Sequence, residues 1–291
     1  MKLTYKPQNF TSFHFEITGS KSISNRYLIL QALFPNLKLE GLSSSDDTQV
    51  LQKALQGQLQ DKPEIDIHHA GTAMRFLTAY LSSIPNLDII LTGSQRMQER
   101  PIGILVQAMR ELGAQIEYLN NEGYPPLKIS GQFLQKEYIS ISADVSSQYI
   151  SALMLIAPTF QNGLTIHLES KVTSKPYLVM TAQALESVGV EINLKASSIQ
   201  ISPKSSVETQ TIAVESDWSS VSYFYSCLAL LAEGRMEIST FHQNSLQGDS
   251  KIAEFYQFFG IQTEYLPHSI AISKTKQITS DKRLELDLND T

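Results

Sequence analysis

The chain of 291 residues contains an internal repeat, and this feature limits the folds it can adopt more than any other. Three segments share a small polar start followed by an apolar run with helical spacing, and they are residues 71–81, 146–155 and 218–228. Their starts, at Thr72, Ser147 and Ser219, are separated by 75 and 72 residues. Self-similarity at a nearly fixed spacing is typical of a chain built from copies of one supersecondary unit.

A second repeated pattern is a helical segment that ends at a glycine and is followed by an alternating strand. Gly113, Gly189 and Gly260 lie 76 and 71 residues apart in this pattern. Glycine just past a helix takes the left-handed cap conformation, and alternation of apolar and polar residues predicts a strand. Each period of roughly 73 residues therefore holds two helices and several short strands. This predicts an α/β (α+β) fold with helices packed on sheets.

Composition excludes several functional classes. The chain is 42% hydrophobic and 18% charged, its net charge is −6 and its pI is about 5.6. Such a balance is that of an ordinary globular protein, and it offers no broad basic surface for nucleic acid or anionic membranes. There is no apolar run of about 18 residues and no signal-peptide core, so we expect a cytoplasmic protein without a membrane partner. Any anion site must be local.

Cysteine and histidine usage argues against a metal or redox centre. The single cysteine, Cys227, stands inside the apolar run 223–231, which predicts core packing rather than a reactive thiol. The six histidines are scattered and have no zinc-binding spacing with a cysteine. The cysteine and the histidines therefore predict no zinc site.

The densest polar cluster, residues 19–26, stands where a helix is predicted to begin. It has the sequence Gly-Ser-Lys-Ser-Ile-Ser-Asn-Arg and leads into the apolar run 27–33. A helix start presents free backbone N–H groups and the positive end of the helix dipole, so it favours an anion. Lys21 and Arg26 add full charges. A serine-capped helix with two solvated cations explains the segment equally well, and the two interpretations stay open on this segment alone.

The stretch 94–103 joins a predicted strand to a predicted helix at 104–112. Arg96 precedes that helix and is well placed to reach a carboxylate or a phosphate. For Arg100 we favour a surface pair with Glu99.

Two more polar clusters precede helices. Ser146, Ser147 and Gln148 supply two hydroxyls and an amide, although N-capping alone explains one of the serines. Residues 174–177 form the other cluster, and a proline there also suits a helix start. Together, the clusters place hydroxyls, amides and cations at four helix starts, which is one way to surround an anionic ligand without a metal.

These clusters resemble the EPSP synthases (3-phosphoshikimate 1-carboxyvinyltransferases), which are enolpyruvyl transferases. The matching segments, in family order, are 19–26, 45–48, 70–75, 96–103, 124–127, 146–148, 174–177 and 244–249. The resemblance implies two domains, each of three βαβαββ units, with 20–214 as a complete domain and 1–19 plus 215–291 as a partial one. It also implies that roughly the last third of the family's length is missing from the chain.

The resemblance further implies transfer of the enolpyruvyl group from phosphoenolpyruvate to shikimate 3-phosphate. The products would be 5-enolpyruvylshikimate 3-phosphate and phosphate, in the shikimate pathway of aromatic amino acid biosynthesis. The resemblance implies no metal and no organic cofactor. It implies that Lys21 is the catalytic residue. The residues that it implies for binding phosphoenolpyruvate are Lys21, Gly71, Thr72, Arg96 and Gln148. It assigns to shikimate 3-phosphate Ser22, Arg26, Ser146, Ser147, Ser174 and Tyr177.

By the same resemblance, the family's acid/base carboxylates, a lysine and two more arginines fall beyond Thr291, so we expect this length of chain to be inactive by itself. The alternative is a non-catalytic, truncated shikimate 3-phosphate-binding protein. A sister enzyme acting on a UDP-sugar is disfavoured, because its characteristic cysteine has no counterpart near Arg96. The family is usually monomeric, but uncovered sheet and helix faces would promote self-association here.

Two positions depart from the family pattern. Family members usually carry Asn or Asp where His69 stands, and often Pro where Phe76 stands. We expect the first difference to alter affinity for phosphoenolpyruvate and the second to concern packing.

Overall fold

The fold is that of a computed structural model, which describes residues 13–56, 59–61, 63–142, 146–170 and 175–274. The chain divides into two compact units: a larger unit, Ser20–Val214, and a smaller unit that joins the segment before Ser20 to the segment from Glu215 onward. Ser174, one of the predicted site residues, lies outside the described residues.

Short strands alternate with helices along the whole described chain. The strands are β1 Phe13–Glu16, β2 Leu37–Glu40, β3 Glu64–Asp66, β4 Asp88–Thr92, β5 Gln115–Tyr118, β6 Leu127–Ser130, β7 Tyr138–Ile141, β8 Leu164–Leu168, β9 Ile192–Leu194, β10 Ser198–Ile201, β11 Gln210–Ala213, β12 Gly234–Ser239, β13 Ile261–Tyr265 and β14 Ser269–Lys274. The helices are α1 Lys21–Leu33, α2 Asp46–Leu55, α3 Gly71–Ser82, α4 Gln95–Gln98, α5 Gly103–Glu111, α6 Ser147–Ile156, α7 Lys175–Ser187, α8 Trp218–Leu230 and α9 Ile252–Phe255.

Three four-stranded sheets share one topology. Their strand orders are β3-β4-β6-β5, β7-β8-β10-β9 and β1-β12-β14-β13. In each sheet the first two strands are parallel and the other neighbours are antiparallel. The first two sheets and their helices follow the chain order βαβαββ. A parallel pair of β2 and β11 adds a further sheet to the larger unit. The repeated α/β architecture predicted from sequence self-similarity is therefore confirmed.

Glycine marks the turn from helix to strand in each repeat, as predicted. Gly113, Gly189 and Gly260 have φ angles of 109°, 78° and 78°, and β5, β9 and β13 follow them. The helix before Gly260 differs from the other two: α9 has four residues and continues as a 3₁₀ turn over Tyr256–Phe259. This segment is rich in aromatic residues, which have lower helix propensity than leucine or alanine.

The core of the larger unit surrounds α3. Every residue of α3 is buried, α3 packs against α6, and α6 packs against α7. The hydroxyls of Thr78 and Ser82 donate to carbonyls one turn earlier, at 2.7 Å in both cases. A helix that is apolar on all sides belongs in a core, and these bonds satisfy the polar groups it buries.

The smaller unit has its own core. Trp218, Val221 and Tyr225 on α8 pack with residues of β12 and β14, including Ile238 and Ile270. The burial of α8 follows this one stripe along the helix.

Cys227 is exposed, so the prediction that it packs in the core is wrong. The apolar run around it did not reveal which face of α8 is buried. Among the described residues, no helix combines the length and the apolarity that crossing a membrane would require.

Gly163, just before β8, offers a test of the backbone geometry of the larger unit. Its φ is +79°, and a Cβ built on it would lie 2.1 Å from the carbonyl oxygen of Ile201. We expect Gly163→Ala to lower the free energy of unfolding by about 3 kcal/mol, because left-handed strain and a backbone clash add.

Gly123→Ala is the matched control in the same unit, and the comparison is read from urea unfolding curves. Gly123 has a φ of +87° but nothing within 4 Å of its added Cβ, so it should lose only about 1–2 kcal/mol. Equal losses in the two variants would contradict the close approach at Ile201.

Candidate functional site

A buried guanidinium lies where several helices of the larger unit begin. Arg26, on α1, is 2% exposed. Its Nε donates to Thr181 Oγ1 at 2.7 Å, and its Nη1 donates to the Ser22 carbonyl at 2.7 Å. Its Nη2 donates to Ser151 Oγ and to the Tyr177 carbonyl, both at 3.2 Å. Arg26 therefore joins the first half of α1 to α6 and α7.

Arg26 makes no ion pair with a carboxylate within the described residues. Burial lowers the pKa of Arg26 to about 10, and it therefore remains cationic at neutral pH. The rings of Phe76 and Tyr177 lie 5.7 and 5.8 Å from its guanidinium carbon, close enough for cation–π contact. Phe76 is buried at this contact, in keeping with the packing role expected for it.

The first turns of α3 and α6 lie against each other. Gln148 Nε2, on α6, donates to Thr72 Oγ1, on α3, over a long 3.4 Å. Ser146 caps α6 by accepting from the Gln148 backbone N–H at 3.4 Å, and the side chain of Ser147 is half-buried. The structure thus brings together residues that sequence reasoning assigned to two different ligands.

The starts of α1 and α3 lack side-chain caps. Ser20 makes no capping hydrogen bond at α1, and α3 is preceded by Ala70, which has no group to cap with. The start of α3 is also buried, since Gly71 and Thr72 both belong to the buried residues of this helix. A buried helix start without a side-chain cap still requires partners for its N–H groups, and an anion can supply them.

His69 and Ser94 fix the loop that carries Arg96. Ser94 Oγ is hydrogen-bonded to His69 Nδ1 at 2.6 Å, and the Ser94 N–H donates to the His68 carbonyl at 3.0 Å. Ser94 also caps the four-residue helix α4. Arg96 stands exposed on α4. His69 therefore contacts this loop directly.

Arg75 is a functional candidate to which sequence reasoning gave no role. It is 5% exposed, and its Nη1 donates to the Gly71 carbonyl at 2.9 Å. Its Nη2 donates to the Pro101 carbonyl at 3.2 Å, and Tyr149 Oη donates to the same carbonyl at 2.7 Å. Arg75 and Tyr149 thus hold the end of the 94–101 loop against α3 and α6. A charged residue inside the apolar run 71–82 was the signal that could have revealed it.

Arg100 does not form the surface pair with Glu99 that the sequence favoured. Ion pairs elsewhere in the described part of the chain include Arg110–Glu122, Lys128–Asp88 and Arg235–Glu264. The Arg100 guanidinium instead lies against Gly71, where a Cβ would be 2.5 Å from its Nη1. Because α4 ends just before Arg100, its side chain can extend towards the start of α3.

The remaining predicted site residues stand at helix starts. Lys21 is exposed at the first position of α1, with the half-buried Ser22 beside it. Tyr177 is 41% exposed in the first turn of α7. Within the described residues, no group of three or more His, Cys, Asp or Glu side chains could hold a metal ion.

One region of the larger unit therefore combines uncapped helix starts, hydroxyls and cations that form no ion pair with any residue the structure describes. Such an arrangement can bind phosphate or carboxylate groups through backbone N–H groups and charge-assisted hydrogen bonds. The same cations can stabilise negative charge that develops during a reaction.

Comparisons with known proteins agree on one family. The family model described as EPSP synthase (3-phosphoshikimate 1-carboxyvinyltransferase) matches residues 33–285. A 3-phosphoshikimate 1-carboxyvinyltransferase of Bacteroides fragilis is 45% identical over 277 residues, which are 94% of this chain and 66% of that protein. One from Vibrio vulnificus is 35% identical over 313 residues, covering 99% of this chain and 72% of that protein.

A solved structure supports the fold. The EPSP synthase of Acinetobacter baumannii aligns with a TM-score of 0.71 at 20% identity, over 91% of this chain and 64% of that one. Identity this low supports the fold alone. The chain spans about two thirds of the length of the curated relatives it matches.

Replacement of Arg26 tests the buried network. Arg26→Met keeps much of the volume but removes the four hydrogen bonds that the guanidinium donates to two carbonyls and two hydroxyls of α1, α6 and α7. We expect a loss of about 3 kcal/mol in the free energy of unfolding, because hydrogen bonds from a buried charged group contribute more than neutral ones. Chemical denaturation of the 291-residue chain, followed by far-ultraviolet circular dichroism, measures this, because the single tryptophan, Trp218, lies in the smaller unit.

Lys128→Met is the control for charge removal in the same unit. Lys128 pairs with Asp88 at 3.8 Å on an exposed surface, and such a pair contributes at most about 1 kcal/mol. Similar losses in the two variants would show that Arg26 is not a structural link.

Proposed function

The chain belongs to the EPSP synthase family, and on that basis we propose that it serves the transfer of the enolpyruvyl group from phosphoenolpyruvate to shikimate 3-phosphate. The observation that carries the proposal is a cluster of cations near Arg26, beside the uncapped starts of α1 and α3, that make no ion pair within the described residues. Both substrates are phosphate monoesters with a carboxylate, so each needs such groups. A cytoplasmic location belongs to the same proposal.

Shikimate 3-phosphate is assigned to the starts of α1, α6 and α7. Ser22, Ser146, Ser147 and Tyr177 offer hydroxyls there, and Ser174 precedes α7 in sequence. Arg26 supports this half of the site mainly by holding the Ser22 and Tyr177 carbonyls, since its guanidinium is buried.

Phosphoenolpyruvate is assigned to the start of α3 and the loop beside it. Gly71 and Thr72 provide the first N–H groups of α3, Gln148 approaches Thr72, and Arg96 adds an exposed cation. Lys21 completes this half from the start of α1. An exposed lysine is a mobile point charge that can follow a phosphate as it leaves.

The proposed chemistry needs positioning and charge from these residues. A hydroxyl of shikimate 3-phosphate gives up its proton and adds to C2 of phosphoenolpyruvate while C3 gains a proton. The tetrahedral intermediate then loses phosphate from C2 and a proton from C3, which restores the double bond in the product. Holding the two substrates side by side lowers the entropic barrier, and Lys21 and Arg96 stabilise the charge on the departing phosphate.

The complete reaction is not expected from these 291 residues by themselves. About a third of the length of the matched relatives has no counterpart here. We propose that this chain binds substrate but releases no phosphate from phosphoenolpyruvate when both substrates are present. A coupled phosphate-release assay measures this directly. Steady release of phosphate would contradict the proposal that this chain does not complete the reaction.

Binding of shikimate 3-phosphate is tested by calorimetric titration of the 291-residue chain, with unphosphorylated shikimate as the matched ligand. We expect binding that requires the phosphate. Ser147→Ala should weaken it about three- to tenfold, the effect of one lost hydrogen bond. Ser206→Ala removes an exposed hydroxyl elsewhere in the same unit and should leave affinity unchanged.

A folded chain that binds neither ligand would contradict the proposed function. Equal binding of shikimate and shikimate 3-phosphate would contradict the anion site at its centre.

A further inference from the structure

The segment that joins α4 to α5 is neither helix nor strand. After α4, the Arg100 N–H donates to the Met97 carbonyl at 3.0 Å, and the Ile102 N–H donates to the Gly123 carbonyl at 2.9 Å. Pro101 stands between them and has no N–H to donate. Its carbonyl is therefore the group through which other elements can hold this part of the loop.

Two side chains from neighbouring helices donate to the Pro101 carbonyl. Tyr149 Oη, on α6, donates at 2.7 Å, and Arg75 Nη2, on α3, donates at 3.2 Å. Tyr149 makes the shorter bond and is 6% exposed. The guanidinium carbon of Arg75 lies 6.0 Å from the Tyr149 ring, so cation–π contact keeps the two donors together.

The first turn of α6 reaches two parts of the proposed phosphoenolpyruvate site. Gln148 Nε2 donates to Thr72 Oγ1 at the start of α3, and the next residue, Tyr149, donates to the loop that carries Arg96. Successive residues of a helix point about 100° apart, so a single turn can contact both. Tyr149 therefore ties the loop to the helix that already touches the start of α3.

A buried tyrosine hydroxyl needs a hydrogen-bond partner wherever it lies, so such a bond alone indicates no role in binding. Tyr27 is an example. It is 7% exposed, and its Oη is hydrogen-bonded to Ser187 Oγ at 3.0 Å, which joins the middle of α1 to the last residue of α7. Tyr149 differs because its acceptor is a backbone carbonyl of the loop with Arg96, rather than another helix of the core.

Resting on the proposed function, we propose that Tyr149 is a positioning residue for phosphoenolpyruvate: its hydroxyl holds the Pro101 carbonyl and so fixes the loop that presents Arg96 to the anion. Tyr149 itself does not contact the ligand. Its effect is confined to one half of the site, because the groups assigned to shikimate 3-phosphate stand at the starts of α1, α6 and α7 and not on the loop.

Tyr149→Phe tests this role, because it removes the hydroxyl and keeps the ring. The Pro101 carbonyl retains its bond from Arg75, so the variant should fold. In calorimetry with each ligand, we expect phosphoenolpyruvate to bind about three- to tenfold more weakly, because the loop is no longer held in one geometry. The affinity for shikimate 3-phosphate should stay that of the wild-type chain.

Tyr27→Phe is the matched control in the same unit. It also removes one buried hydroxyl that bonds between two elements, so its melting temperature should fall about as much as that of Tyr149→Phe. Its affinity for both ligands should remain unchanged. A purely structural role for Tyr149 would make the two variants alike in binding as well as in stability.

Amide hydrogen exchange gives a second measurement that needs no ligand. Peptides that contain the Arg100 and Ile102 N–H groups should exchange about threefold faster or more in Tyr149→Phe, because local opening of the loop becomes more frequent. The same peptides should exchange at the wild-type rate in Tyr27→Phe.

The outcomes separate this inference from the proposed function. Unchanged affinity for phosphoenolpyruvate in Tyr149→Phe overturns the inference even if the wild-type chain binds both substrates, and so does equal weakening of both ligands. A wild-type chain that binds neither substrate overturns the proposed function. In that case, faster exchange confined to the loop still supports the hold of Tyr149 on it, and unchanged exchange overturns that hold as well.

Discussion

The buried guanidinium of Arg26 is the interaction on which the larger unit depends. It holds α1, α6 and α7 through two carbonyls and two hydroxyls, and it contacts Phe76 on α3. A buried cation without a carboxylate is tolerated only where polar groups surround it completely. Meeting that requirement brings helix starts from three repeats together. The same convergence gives the unit a group of N–H donors and hydroxyls for an anion.

Most of the fold could be predicted from the sequence because two independent patterns repeat at the same spacing. The spacing of the helix starts and the glycines after helices both predicted the unit that recurs in three sheets. Left-handed glycine caps depend on local backbone sterics, so they could be read without tertiary information. The prediction that Cys227 is buried was wrong because its neighbours are apolar on both faces of α8. Only the packing of Trp218 and Tyr225 decides which face is buried.

The site was less accessible to such reasoning. Residues at helix starts were found because their positions follow from the elements. The direction of a long side chain does not follow from the elements. The sequence therefore predicted a pair of Arg100 with Glu99, whereas its guanidinium lies against Gly71. Arg75 went unnoticed because its partners, Gly71 and Pro101, are backbone carbonyls, which leave no mark in a sequence. Whether a cation is solvated, structural or ligand-binding depends on contacts between repeats.

The central claim is that helix starts gathered around Arg26 bind the anionic groups of two substrates. Amide hydrogen exchange of the 291-residue chain, followed by mass spectrometry with and without shikimate 3-phosphate and phosphoenolpyruvate, tests it most directly. N–H groups in a first turn lack intrahelical acceptors, so ligand binding should slow their exchange. The account predicts simultaneous protection in the first turns of α1, α3 and α6. Protection confined to other segments, or absent from these three turns in a chain that binds ligand, would contradict it.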